Sequence, residues 1–580
     1  MKKRTTATLL NSRGRLLLSL FAIAAAALVW RAAYLQLTHK DFLQNHGDAR
    51  YLRTVAIPAH RGVIMDRYGE PLAVSTPVSS VWAMPRQLAS APAQWPKLAD
   101  VLDLRVGHLK ALIEPRIHRE FVYLKRRVDP MVARQVMDLG IRGVSLQSEY
   151  RRYYPMAEVT AHLLGFTNID DSGQEGVELA FDGHLRGTPG AKRVIKDRLG
   201  QSVKNVESIR APKPGQDLIL SIDKRLQYVA YRELKAGVQR HQARAGSIVI
   251  LDTQSGGILA MVNQPSYNPN NRNGLKGEHF RNRAVTDVFE PGSTIKPFTV
   301  AAALETGAYA PSTRIDTHPG YFRVGRHTIK DLHNYGVLDV LGIIKNSSNV
   351  GATKIALSLE PDTIWRLFNR LGFGGYTAIG FPGEAPGYLR DHHEWRALER
   401  ATLAFGYGLS VTTLQLAQAY LILATDGIAL PLTLERRLRL LEGERILAPR
   451  TAQQVRAMLE EVVRDGTGTR ARIAGYRLAG KTGTVHKPSR RGYAEHRYVA
   501  LFGGMIPASK PRLVAVVMVD EPRGGDYFGG MVAAPIFAQV MRDAVRLMNI
   551  PPDALPVSKR PSRAYMAAAP SVDPASRMRP

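Results

Sequence analysis

Cysteine is absent from all 580 residues. That excludes disulfides, thiolate metal sites and a cysteine nucleophile. It leaves the compartment open, since a cysteine-free chain tolerates any redox environment. The 16 histidines show no H-E-x-x-H or other ligand spacing, so no metal and no cofactor are expected. No internal repeat and no nucleic-acid-binding module is recognisable, so no nucleic acid is expected as a partner. Acidic residues are scarce: 50 Asp+Glu stand against 79 Lys+Arg, a net charge of +29. The excess favours polyanionic surroundings, with anionic lipid headgroups or an acidic polymer as the economical choices. Beyond residue 37 no hydrophobic run could cross a membrane, and Leu513–Val519 is far too short.

What is present begins with the N-terminus. Residues 1–15 carry Lys2, Lys3, Arg4, Arg13 and Arg15 and no acid. The 22 residues Leu16–Leu37 are almost wholly apolar and would span roughly 33 Å as a helix, enough for a bilayer core of about 30 Å. Trp30 and Tyr34 suit the interface, and Arg31 can snorkel to it. The basic flank predicts a cytoplasmic tip, a transmembrane helix over 16–37 and an extracytoplasmic remainder. A cleaved signal peptide is the competing reading, because Ala22-Ile23-Ala24 has an A-x-A pattern. Cleavage there would strand the apolar residues that follow.

At this length the chain needs more than one core. Its 45% hydrophobic and 22% charged residues exclude a wholly disordered polymer. Residues 38–56 read as a polar stalk. Val63–Met65 and Leu72–Ser75 read as strands about a turn at Asp66–Gly69. Residues 96–140 carry helix-like periodicity. Arg61, Asp66 and Gly69 are best explained by that turn, and Glu178 by a buried charge pair with Arg61 or Arg67. Pro212-Lys-Pro-Gly215 marks the main boundary, so 38–215 is one region and 216–550 the next. The second region opens with a helix over Lys224–Gln239, capped by Asp223. A hairpin Gly246–Leu251/Ile258–Asn263 follows, then a mainly helical block over 293–470. A hairpin Tyr498–Ile506/Leu513–Val519 and a closing helix through Phe537, Val540, Met541, Ala544 and Val545 end it. Sheet and helix bracketing a helical block predict an α+β fold. Residues 551–580 contain seven prolines and are expected to be a disordered tail.

Three short elements carry the chemistry. Ser293-Thr-Ile-Lys296 fits S-x-x-K, Ser347-Ser-Asn349 fits S-x-N, and Lys481-Thr-Gly-Thr484 fits K-T-G. Singly each is weak: Ser221-Ile-Asp-Lys224 and Ser266-Tyr-Asn268 also fit. Ser293, however, follows Pro291-Gly292 and opens a helical run, where a nucleophile meets the positive end of a helix. Lys296 lies on the same face three residues later. A serine hydroxyl needs a base, and lysine is one only when neutral. Burial or a second cation must lower its reference value of about 10.4, at about 1.4 kcal/mol per unit. Lys481 supplies that cation and can attract a carboxylate. Ser347 can relay a proton to a leaving amine, and Asn349 can hold Lys296 and a substrate amide. Gly483 leaves room for an extended peptide along the strand. The hydroxyls of Thr482 and Thr484 can bind a terminal carboxylate. The N–H groups of Ser293 and Thr484 would form an oxyanion hole, at about 3–4 kcal/mol per donor. Tyr527 and Phe528 either wall the cleft or simply pack.

Taken jointly these motifs resemble class B penicillin-binding proteins, specifically the FtsI-like cell-division transpeptidases. The likeness extends over nearly the whole chain, through Arg61-Gly-Val-Ile-Met-Asp-Arg-Tyr-Gly69, Gly176-Val-Glu178 and Tyr527-Phe-Gly-Gly-Met-Val-Ala-Ala-Pro535. The intervals of 54 residues from Ser293 to Ser347 and 132 from Asn349 to Lys481 also fit. Phe528 departs from the pattern, where a second tyrosine is common. The resemblance implies a serine β-lactamase-like penicillin-binding transpeptidase fold over 216–550, preceded by a non-catalytic elongated pedestal and a single membrane helix. It implies cross-linking of peptidoglycan stem pentapeptides through a Ser293 acyl-enzyme that β-lactam antibiotics also form. It implies residence in the bacterial inner membrane at the division site, with an FtsW-type glycosyltransferase and other division proteins as partners. A β-lactamase or D,D-carboxypeptidase on the same fold, and a non-catalytic β-lactam sensor or division scaffold, are the alternatives.

Overall fold

The computed structural model describes residues 4–38, 52–196, 202–437, 442–489 and 492–554. An N-terminal helix α1 spans Arg4–Leu37. Its stretch Gly14–Leu37 has a mean hydropathy of 2.0 and is long and apolar enough to cross a membrane. Most of the predicted stalk lies outside the described residues. Its end is strand β1, Leu52–Ile57, rather than irregular chain.

The described chain forms two compact units. The first holds residues 1–62, 75–151 and 186–216, and the second 63–74, 152–185 and 217–580. The sequence suggested one cut near 215, and the last passage of the chain from the first unit to the second falls between Gln216 and Asp217. In the first unit, β1 pairs antiparallel with Gly190–Lys196, which pairs with Ser202–Arg210. The strand Pro71–Ala83 enters this unit at residue 75 and pairs with Val122–Val128. Helices Trp95–Val101, Val106–Ile113 and Pro130–Asp138 pack about a small core of Val81, Leu98, Leu102, Leu109 and Val136. Asp129 caps the last of these by accepting from Met131 N–H, and the Trp95 indole donates to Leu88 O at 2.9 Å.

The second unit is built on a five-stranded antiparallel sheet. We number its strands β2 (Ala245–Asp252), β3 (Ile258–Gln264), β4 (Ala479–Ser489), β5 (Gly492–Ile506) and β6 (Leu513–Asp520). They lie in the order β3-β2-β6-β5-β4, which leaves β4 at an edge. Every residue of β2 and β3 is buried, so both read as continuous apolar runs rather than alternating ones. One face carries α2 (Lys224–Arg240) and α3 (Gly529–Leu547), which share a core with Ile248, Val517 and Phe537. Asp223 caps α2 through Arg225 N–H, as its position predicts. The other face receives Thr413–Ala424, whose capping box pairs Thr412 with Gln415. That helix is too short to span a bilayer and sits inside the largest core cluster. Asp66 holds the expected turn by accepting from the N–H groups of Tyr68 and Glu70. Glu178 is fully buried and accepts from Arg152 Nε at 2.6 Å, an arginine the sequence did not single out.

The Pro-rich segment 551–580 lies outside the described residues from 555 onward. Its first residues are held rather than loose: Asp553 accepts from Arg477 N–H at 2.7 Å and from Ser509 Oγ at 2.6 Å.

Candidate active site

Three segments of the second unit converge on one cleft of about 670 Å³. The first is the 3₁₀ turn Gly292–Ile295, which runs directly into the helix Lys296–Glu305. Gly292 has φ +54, and Gly406 approaches so closely that a Cβ on it would stand 2.2 Å from Gly292 O. Glycine is required at both positions, one for its left-handed backbone and one for the close approach. The Thr294 hydroxyl donates to Pro291 O at 2.6 Å, and the buried Tyr420 hydroxyl donates to Thr294 O at 3.0 Å. These bonds fix the turn that presents Ser293 to the cleft.

The second segment is the junction of Val340–Asn346 and Asn349–Ser358. Ser347 ends the first helix in the left-handed conformation, φ +61, and Ser348 caps the second by accepting from Gly351 N–H at 2.9 Å. Two abutting helix ends thereby turn Ser347 and Asn349 into the cleft. Asp331, which sequence reasoning missed, fastens the junction. Its Oδ2 accepts from Ser348 Oγ at 2.6 Å, and its Oδ1 from the N–H groups of Asn349 at 2.5 Å and Val350 at 3.0 Å. Nothing in its local sequence announces this, because the partners lie up to 19 residues away.

The third segment is edge strand β4. Lys481, Thr482, Gly483 and Thr484 pair in register with Gly503, Phe502, Leu501 and Ala500. The reason for glycine at 483 differs from the expected one. A Cβ there would stand 2.9 Å from Thr294 Cγ2 and 3.2 Å from Pro291 O. The missing side chain therefore lets the Ser293 turn pack on the strand, rather than clearing space for a guest. Thr484 Oγ1 accepts from Gly529 N–H at 2.9 Å, and the Thr482 and Thr467 hydroxyls lie 2.7 Å apart.

The two lysines lie beneath the cleft, both with no exposed surface. Lys296 Nζ stands 2.5 Å from Ser347 O, 2.7 Å from Asn349 Oδ1 and 3.2 Å from Ser347 Oγ. Lys481 Nζ donates to the same Ser347 Oγ at 2.9 Å and to Thr482 O at 3.3 Å. Burial lowers the pKa of Lys296 well below the ordinary lysine value, and the neighbouring Lys481 lowers it further, against the opposing pull of Asp331. Burial brings Lys481 down to about 7. Burial strips water from an ammonium, and a second cation repels it, so both favour a neutral amine. A neutral amine has two N–H donors and one lone pair. The two carbonyl oxygens nearest Lys296 take both donors and leave its lone pair for a hydroxyl.

Ser293, Ser347, Asn349, Thr482, Thr484, Tyr527 and Phe528 all line the cleft. The two aromatic residues thus belong to its wall. Tyr527 stacks between Tyr498 (centroids 4.1 Å apart) and Phe528 (4.4 Å), and Phe528 is 43% exposed. Leu332, Tyr335, Tyr407, Arg470 and His486 are among the other lining residues and were not foreseen. Only Tyr407 carried a signal, its flanking Gly406 and Gly408.

Residues 246–542 match the family described as penicillin binding protein transpeptidase domain, and residues 56–220 the penicillin-binding protein dimerisation domain. The chain is 45% identical over 546 residues to a Pseudomonas aeruginosa protein named probable peptidoglycan D,D-transpeptidase PbpC, covering 94% of this chain and 97% of that one. It is 42% identical over 555 residues to Escherichia coli K12 peptidoglycan D,D-transpeptidase FtsI, covering 95% and 94%. Among solved structures it is similar to penicillin binding protein 3 of the tubercle Mycobacterium complexed with aztreonam. That match has a TM-score of 0.66 at 26% identity and covers 86% of this chain and 98% of that one.

Proposed function

This chain belongs to the penicillin-binding protein transpeptidase family, and from that membership we infer that it is a serine D,D-transpeptidase of septal peptidoglycan synthesis. The observation that supports the reading most directly is the pair of buried lysines converging on Ser347 in the cleft that the half-buried Ser293 also lines. In the proposed cycle a stem pentapeptide lies along edge strand β4. Its terminal carboxylate meets Lys481 and the hydroxyls of Thr482 and Thr484. Neutral Lys296 takes the Ser293 hydroxyl proton as the oxygen attacks the penultimate D-alanine carbonyl. The oxyanion is held by the N–H groups of Ser293 and Thr484. Ser347 Oγ accepts from Lys481 Nζ at 2.9 Å, so its own proton is free to reach the leaving D-alanine amine. An amine from a second stem then takes the acyl group and regenerates Ser293. Asn349 orients Lys296 and the substrate amide, while Tyr527 and Phe528 flank the chain.

β-Lactams acylate the same hydroxyl in this reading. Intact mass spectrometry with a β-lactam, followed by peptide mapping, tests it. A single adduct on Ser293 that persists for minutes is expected. An adduct elsewhere, or none, would overturn the proposal. Release within seconds would favour a hydrolase on the same fold.

The apolar helix Gly14–Leu37 fits a single-pass membrane protein. We further assign the chain to the inner membrane with the catalytic unit periplasmic, enriched at the division site beside an FtsW-type glycosyltransferase. The basic residues before the helix support that orientation. A fluorescent fusion that stayed evenly around dividing cells would refute the division-site assignment.

A further inference from the structure

Away from the cleft, a short 3₁₀ turn at His392–Glu394 lies against helix Pro361–Arg370. Asp391 caps the turn, its Oδ1 accepting from His393 N–H at 2.9 Å. This bond sets three potential ligands side by side. Asp391, His392 and His393 each bring one ligand atom within 4.8 Å of the others, and the two imidazole centroids are 4.0 Å apart. His392 is the informative member. Its Nδ1 is a buried atom with no hydrogen-bond partner, although a buried imidazole nitrogen is ordinarily satisfied. That nitrogen stands 3.4 Å from Asp391 Oδ1. Two ligands about 2.0–2.2 Å from one tetrahedral zinc are separated by about 3.4 Å. The other ring nitrogen, Nε2, faces Asp362 Oδ1 at 3.8 Å. At that distance the two are not hydrogen-bonded, and the same oxygen pairs with Arg366 Nε at 2.7 Å.

We propose that Asp391, His392 and His393 form a zinc-class divalent cation site. Three protein ligands leave the fourth position to water. The site departs from the expectation of no metal, which rested on spaced motifs; three consecutive ligands on one tight turn fit none of them. The cation braces the 3₁₀ turn, which packs against helix Pro361–Arg370. It takes no part in acyl transfer.

The test uses the full chain in detergent, stripped with chelator. Zinc is titrated by calorimetry, and cobalt(II) by its visible absorption. About one ion per chain is expected, with the cobalt spectrum of a tetrahedral N/O site. Asp391→Asn keeps a capping oxygen and should weaken zinc binding at least tenfold. The double change His392→Ala/His393→Ala should abolish it while penicillin still acylates the protein at the wild-type rate. Absence of binding at ~100 µM zinc, or undiminished binding in the double variant, overturns the proposal. Should the double variant lose acylation as well, exposed His393→Ala alone decides: zinc affinity equal to wild type overturns the site, and a fall of tenfold or more upholds it.

Discussion

Ser221-Ile-Asp-Lys224 and Ser293-Thr-Ile-Lys296 share one spacing and almost nothing else. Ser221 Oγ is buried among main-chain carbonyls, 2.7 Å from Ile258 O and 3.0 Å from Thr433 O. Its hydroxyl is committed to holding chain segments together. Lys224 is one-third exposed and pairs with Glu70 at 2.7 Å, so its side chain is engaged by a carboxylate at the surface. Lys296 has no exposed surface and bonds to Ser347 and Asn349, with Lys481 outweighing the opposing Asp331 in its surroundings. The difference teaches that a four-residue spacing sets only which face two side chains share. Whether the lysine serves as a base depends on elements far away in sequence, here Ser347, Asn349 and Lys481.

The sharpest way to break the contrast is Lys296→Met. It should slow β-lactam acylation about a hundred- to ten-thousandfold, measured by stopped-flow, while circular dichroism stays native. Acylation at the normal rate would remove Lys296 as base. Asp331→Asn comes next. It touches no substrate but loosens the junction that aims Ser347 and Asn349, and a misplacement of this kind should slow acylation about ten- to a hundredfold. Lys481→Met should raise unfolding free energy at pH 7 by roughly 1–4 kcal/mol even as activity is lost, because it removes a buried cation. The sign is definite. Lys481 sits at about 7 in the folded chain and near 10.4 when unfolded. Between those values the unfolded chain binds the extra proton, so stability rises with pH through that window. Denaturant titrations from pH 7 to 10 should show the rise in wild type and a flatter profile in the variant. Least affected is the other serine–lysine pair. Ser221→Ala should cost about 1 kcal/mol and Lys224→Ala under about 0.5 kcal/mol, with acylation within twofold of wild type for both. A large acylation defect in either would erase the distinction drawn here.

Much of this architecture was legible because it is written locally. Asp223 before a periodic run announced its helix, and apolar runs joined by turn residues announced both sheet hairpins. The motifs marking the cleft are each contiguous. What stayed hidden was written at a distance. Asp331 has no neighbouring residue that betrays its three contacts. Val122–Val128 is a strand inside a stretch whose periodicity favours helix, because its partner Pro71–Ala83 lies some 40 residues upstream. The end of the supposed stalk became a strand through pairing with Gly190–Lys196. Gly483 looked like room for substrate, yet the crowding it relieves comes from Thr294 and Pro291, nearly two hundred residues earlier.

One consequence belongs to strand β4 and its open flank. An unpaired sheet edge is a hazard in most proteins, since any stray extended segment can add to it. In the proposed cycle a stem peptide docks beside Lys481–Thr484, and the proline of the strand, Pro488, stands beyond that stretch. What guards the approach is the stack of Tyr498, Tyr527 and Phe528, whose rings stand in the cleft wall beside it.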